Sequence, residues 1–447
     1  MKVLALGVAV CALSLAAHAA AEAGAASPPE AHFRLANGLD VLIEENHREP
    51  RVAVLVSYDV GSRDEPEGYS SLAHLVEHLT YRRSRHLKDY AGLELLGRAG
   101  VQTMNGETHD DRTLYYAVVP SKALPLALYL ESERMGFTLE SFDEASFAHE
   151  REVIRAEVQS KAPELRLRAL ILTALYGAAH PYTRNPDALR NLNDLGLRDA
   201  QSFFQRGYRP DNAHLVVVGD VTLDAGRALV ERYFGALANP VAPRDSRVPV
   251  APARALGVHV TYRSHSYASV FVAAYRAPFY GSRAHLAAEL LERALRTLLT
   301  AVLVDQQRLA LYLKFELADR DDDSQFVVEA TPRQGVSYER LEDALQATLA
   351  RVTPERLASV LREARSGLLE QEWMRLEDPL ARAHAHVEAL AFDGRPYAAD
   401  ERIHRLLGLT EADLAPLLES FSRPLAVVEL VHDGGVGDAG VVEVSNP

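Results

Sequence analysis

Apolar positions along the chain fall into two patterns. Short continuous runs, RVAVLVSY (Arg51–Tyr58), TLYYAVVP (Thr113–Pro120) and HLVVVGDV (His214–Val221), predict buried strands. FRLANGLDVLI (Phe33–Ile43) predicts two strands joined by a tight Asn37-Gly38 turn, because that pair accepts the positive φ a hairpin needs. Apolar residues recurring every three to four positions predict helices over Leu124–Leu139 and Ser146–Gln159, and another ending near Phe234. SSLAHLVEHLTY (Ser70–Tyr81) is a further helical run, with two histidines and a glutamate set into it.

Residues 239–255 carry Pro240, Pro243, Pro249 and Pro252, a density no helix or central strand tolerates, and so predict a linker. Beyond it the order of elements repeats. Val54–Leu79 aligns with Val270–Leu295 as strand, loop and long helix. The expected fold is α+β: two homologous α/β-sandwich domains, 31–238 and 256–447, joined by the proline-rich linker. The second copy of the helix has His285 and Glu289 but no second histidine, so metal chemistry is expected only in the first half.

Composition narrows the class. The 447 residues are 48% hydrophobic and 25% charged, as in globular proteins. A formal net charge of -14 disfavours nucleic acid or an anionic membrane as partner. Lys2, the apolar run Val3–Leu15 and Ala17-His18-Ala19 predict a secretory signal over 1–19, followed by a disordered spacer over 20–30 and export to the periplasm or beyond. Cys11 is the only cysteine and lies in that leader, so the exported protein has no thiol to ligate a metal, form a disulfide or act as nucleophile. After the leader no apolar run is long enough for a membrane span.

His74 and His78 stand at i and i+4, on one helical face and one turn apart, a spacing that lets two imidazoles converge on one ion. Glu77 borders that face, placed to reach a water held there without ligating the ion itself. This H-x-x-E-H order is a zinc-hydrolase motif. The alternative for the motif alone is a solvated polar face, and a third ligand would decide. FAHEREVIRAEVQS (Phe147–Ser160) offers Glu150 and Glu157, seven apart on one face, whereas Glu152 points away. Because they lie roughly 10.5 Å apart along the axis, one can reach the ion and the other would orient a ligand.

HLVEH followed by ERxVIxxEV resembles the M16 peptidases: pitrilysin, insulin-degrading enzyme and the mitochondrial processing peptidase. ANGLDVLI, VGSRDEPEG, NGETHDDRTLYY, HPY and YRPDNAHLVVVGDV are similar to further landmarks of that family before and after the motif, in the same order. The resemblance implies a Zn²⁺ ion, one per chain, with His74, His78 and Glu157 as ligands. It implies Glu77 as general base and Glu150 as the supporting carboxylate. Asn105, Gly106, Glu107 and Thr108 would form the edge strand along which an extended peptide binds, and a clam-like enclosure would favour unfolded peptides.

The pattern departs at one place. Where the family often carries an arginine and a tyrosine seven apart, VDQQRLALY keeps Tyr312, a candidate to steady the reaction intermediate, but has Asp305 at the arginine position. Arg308 could stand in. Otherwise the chain pairs with another M16-like subunit, as a homo- or heterodimer in which the partner supplies the missing group. The rival reading is a catalytically weak assembly or peptide-binding subunit, against which the intact H-x-x-E-H speaks. ADRDDDS (Ala318–Ser324) is expected as a hairpin loop, and the two histidines of AHAH (Ala383–His386), at i and i+2, as background.

Overall fold

The computed structural model describes residues 28–138, 142–185, 189, 192–239, 257–264, 268–282, 284–432 and 441–445. The signal, most of the spacer and nearly all of the expected linker lie outside the described residues.

The first half runs β1 (Glu30–Arg34), β2 (Asp40–Glu45), β3 (Arg51–Tyr58), α1 (Leu72–Arg82), α2 (Ala91–Ala99), β4 (Thr103–Thr108), β5 (Thr113–Pro120), α3 (Leu124–Phe137), α4 (Glu144–Ser160), α5 (Ala162–Tyr176), α6 (Leu197–Gly207), β6 (Ala213–Gly219) and α7 (Leu223–Phe234). The second runs β7 (Val258–Ser264), β8 (Val270–Ala277), α8 (His285–Leu299), β9 (Ala310–Asp319), β10 (Ser324–Pro332), α9 (Tyr338–Leu349), α10 (Pro354–Glu377), α11 (Pro379–Asp393), α12 (Ala399–Gly408), α13 (Glu411–Leu418), β11 (Ala426–His432) and β12 (Val441–Ser445).

Each half builds one sheet, in the orders β1-β2-β6-β3-β5-β4 and β12-β7-β11-β8-β10-β9. The parallel β2–β6 pair has its counterpart in parallel β7–β11. Only the outermost strand differs, because the first half uses its N-terminal strand there and the second its C-terminal one. The Asn37-Gly38 hairpin forms as expected, with Gly38 at φ 95°. Asn37 also donates its side-chain amide to the carbonyls of Phe234 and Leu237 at the end of α7.

β3 and β6 are buried on both faces, which explains their unbroken apolar sequences. One face of the first sheet meets its own helices in a core containing Val54, Val56, Tyr115, Leu75 and Phe203. The other face, with Leu42, Leu55 and Val216, is covered by Ala383, Val387 and Leu390 of α11, a helix of the second half. The exchange is reciprocal: Leu172 and Leu175 of α5 cover Val260, Val272 and Val428 of the second sheet. Among the described residues no helix is long and apolar enough to cross a membrane.

The Ala318–Ser324 segment is a hairpin loop, with Ser324 paired to Asp319. It docks into the first half, where Asp321 meets Arg112 at 2.5 Å, Asp322 meets Arg63 at 2.9 Å and Arg320 donates to Asp110 at 3.1 Å. The two histidines of AHAH are more than background. On a helix, i and i+2 point to opposite sides. His386 is therefore fully buried against Glu44 at 2.8 Å, while His384 faces the cavity between the halves.

Candidate metal centre and catalytic cleft

α1 is anchored before it presents any chemistry. Leu72, Leu75, Val76 and Leu79 bury its inner side against the first sheet. At its start, the buried Glu65 carboxylate accepts from the Ala73 N–H at 2.9 Å and from the Asn185 amide at 3.3 Å, occupying a helix-end donor. Burial outweighs these bonds and pushes the Glu65 carboxyl up to about 8. Near its end, Arg134 lies between the rings of Tyr81 and Tyr115, at 4.4 and 4.1 Å, and donates to the Thr80 carbonyl at 3.1 Å.

This anchoring turns His74 and His78 to the cavity, their rings 4.9 Å apart and nearly perpendicular. α4, N-capped by Asp143 on the Ser146 N–H at 2.7 Å, crosses beside them. Glu157 Oε2 stands 3.7 Å from His74 Nε2 and 3.5 Å from His78 Nε2. Ligand atoms about 2.0–2.1 Å from a tetrahedral ion are about 3.3–3.4 Å apart, so this trio has the size of a zinc site. The ligand atoms of all three residues fall within 4.8 Å of one another.

Glu150 faces the other nitrogen: its carboxylate is 3.4 Å from His78 Nδ1 and accepts from Tyr90 at 2.8 Å and Arg82 at 3.1 Å. It is 3% exposed, so these donors hold it firmly. Burial opposes its ionisation, but the bonds from His78 and Tyr90 keep its pKa below the usual carboxylate range. Lys161, one turn beyond Glu157, bonds it at 2.7 Å. Burial and the neighbouring His78 press the His74 imidazole down to about 4, so it is neutral with a lone pair free for a metal.

Glu77 is 7% exposed and borders the trio without belonging to it. Thr108 Oγ1 donates to its Oε2 at 2.6 Å. Burial raises its carboxyl, and the Thr108 bond opposes that. Gly106 lies against the same carboxylate: a Cβ there would stand 2.8 Å from the Tyr81 ring and 2.9 Å from Glu77 Oε1. Thr108 and Gly106, expected as peptide-contacting residues, are thus engaged with Glu77. Asn105 and Glu107 alternate to the other face of β4, where Tyr116 donates to Glu107 at 2.8 Å.

The trio, Glu77 and Asn105–Thr108 line one wall of a cavity of about 1370 Å³ between the halves. The opposite wall is charged, and the sequence reading noted only its His285 and Glu289, without placing them at the cavity. It includes His285 and Glu289 of α8, Arg375 of α10 and Glu388 of α11. His285 and Glu289 share one helical face at i and i+4, but Arg375 and Glu388 come from helices far along the chain that no spacing rule connects to them. Tyr312 does not join the site: it is 57% exposed on β9 and is not part of the cavity wall. Arg308, in a left-handed conformation at φ 53°, and Asp305 are exposed and also outside that wall.

Residues 40–184 match the family model described as insulinase, peptidase family M16, and 194–359 match the M16 inactive domain. Zinc protease PqqE of Helicobacter pylori is 27% identical over 343 residues, covering 73% of this chain and 75% of that protein. A probable mitochondrial-processing peptidase subunit beta of Schizosaccharomyces pombe is 30% identical over 207 residues, covering 45% and 44%. The crystal structure of a protease from Helicobacter pylori superposes with a TM-score of 0.78 at 24% identity, over 90% of this chain and all of that one. With two matched models spanning well over half its length and the duplicated sheet in place, the chain belongs to the M16 peptidase family.

Proposed function

We propose that this protein is a zinc-dependent endopeptidase cutting extended peptides, and that His74, His78 and Glu157 hold one Zn²⁺ per chain. The observation that carries the reading is the three-ligand cluster of zinc-site dimensions beside a buried carboxylate, Glu77, that is not one of its members. Glu150 fixes the orientation of His78 through Nδ1 and so the direction of Nε2. When bound, the ion supplies Lewis acidity to the scissile carbonyl and lowers the pKa of the attacking water. Glu77, held by Thr108, takes the proton of that water and returns it to the leaving amine. The peptide adds as a strand to β4, the terminal strand of its sheet, with Asn105 and Glu107 beside it. We take 31–238 as the catalytic domain and 256–447 as the domain that closes the cavity.

We take Tyr312 to act on the centre of a second unit, a reading supported by its exposure and its place outside the cavity wall of its own chain. Pairing of two M16-like chains is therefore part of the reading, and the likeness to a processing-peptidase subunit supports it. We read the N-terminal sequence as an export signal, which supports a periplasmic or extracellular site of action.

Glu77→Gln tests the core of the proposal. It removes the proton acceptor and none of the ligands, so peptide cleavage should fall by roughly 10²–10⁴-fold while zinc content by atomic absorption stays at one per chain. Undiminished cleavage in that variant would overturn the assignment.

A further inference from the structure

A strand added to the free edge of β4 continues its alternation, so every second peptide side chain points away from α1 and toward α11. On that side the His384 ring meets Tyr116 edge-on at 5.1 Å, and Val387 packs with Leu114. Tyr116 and Leu114 are the cross-strand partners of Asn105 and Glu107. Glu388 is one turn past His384, about 6 Å along the helix, and its side chain is exposed to the cavity.

The charges behind Glu388 satisfy one another. His285 lies 3.1 Å from Glu289 and 3.0 Å from Asp319. Arg402 pairs with Glu289 and with Glu372, the latter at 2.9 Å, and Arg375 pairs with Glu372 at 3.1 Å. Glu388 makes no hydrogen bond and no close ion pair among the described residues. Burial raises its pKa, and Arg375 and Arg402, each paired with another carboxylate, oppose that only at longer range, so its carboxylate faces the space the peptide fills without a contact partner. His384 does not supply the missing cation: burial lowers its pKa, against the pull of Glu107. A carboxylate with no contact partner in a partly desolvated cavity gains from a cation that a ligand brings within hydrogen-bond distance.

We infer that Glu388, with Glu107 on the same side of β4, forms a subsite for a lysine or arginine side chain of the bound peptide. The inference rests on the proposed function, which makes β4 the receiving strand, and adds a substrate class to it.

The test uses the full-length zinc-loaded protein and a neutral peptide through which a single lysine, or its uncharged isostere norleucine, is moved position by position. At one position lysine should raise kcat/KM by about tenfold over norleucine, in the range expected of a charge-assisted contact. In Glu388→Gln that ratio should fall to about one, and in Glu388→Lys a glutamate at the position should be favoured instead. A lysine preference at no position, or one that survives Glu388→Gln, overturns the subsite. Anisotropy binding of the same peptides to the Glu77→Gln protein reads the preference without turnover. A basic preference in binding with no cleavage by the parent protein would therefore sink the peptidase reading and keep the subsite, whereas cleavage without the preference does the reverse.

Discussion

Thr108 and Gly106 show how the carboxylate proposed as general base is held by the strand proposed to receive the peptide. Thr108 donates to Glu77, and Gly106 leaves the space that carboxylate occupies. Thr108→Val keeps the volume and removes the donor. It should lower kcat by about tenfold, a typical worth of one hydrogen bond to a charged group, with KM and zinc content near the parent values; Thr108→Ser should restore it. Steady-state kinetics beside metal analysis checks this. His74, Glu77 and His78 were legible in the sequence because their chemistry lies within one helical turn and the helix alone sets their directions. Glu150 and Glu157 were legible as a pair sharing a face, but which of them approaches the histidines depends on how α4 crosses α1. The partners Tyr90, Arg82 and Thr108 carried no pattern, since each comes from a different element.

At the level of elements, the first sheet carries a charge cluster that its apolar strands conceal. His214 of β6 bonds Asp40 of β2 at 3.0 Å and lies 3.4 Å from Asp59, just after β3. Burial works against the imidazolium, yet the bonds to Asp40 and Asp59 outweigh it and lift His214 to about 9. A raised histidine pKa adds stability that is complete below about 6.5, the unfolded value, and is lost as pH rises through the folded value. Unfolding free energy from urea titration should therefore decline between pH 6.5 and 9. His214→Gln should remove part of that decline, on the order of 2 kcal/mol. Strand and helix positions were readable because burial imposes a period of two, a continuous run or a period near 3.6 on whatever sequence folds there. Edges were read less well: α4 begins at Glu144 rather than Ser146, because its cap is Asp143.

Across the whole molecule, the exchange of α5 and α11 makes the two halves one cooperative body. Glu44 of β2, 1% exposed, accepts from Arg382 Nε and from His386 Nε2 of α11, each at 2.8 Å. His386 Nδ1 accepts from the Tyr397 N–H, and the Arg382 guanidinium supplies the charge that balances Glu44. Glu44→Gln leaves a buried guanidinium without its counter-ion and should cost about 3–5 kcal/mol, read as a lower urea midpoint for the single unfolding transition. Pairing of chains has its own test. Tyr312→Phe protein and Glu77→Gln protein should each cleave poorly alone, and mixing them should regain activity if Tyr312 acts on a neighbouring unit; no recovery would assign Tyr312 to the surface. What the sequence by itself determined was local: the duplicated order of elements, the helix carrying H-x-x-E-H and the acidic helix beside it, since each rests on spacings along one segment. Only the tertiary structure decided which helix covers which sheet, how Glu77 is held, what forms the cavity's far wall and that Tyr312 lies outside that wall. Those depend on contacts between residues hundreds of positions apart, where burial and charge pairing are settled by packing and leave no periodic trace in the chain.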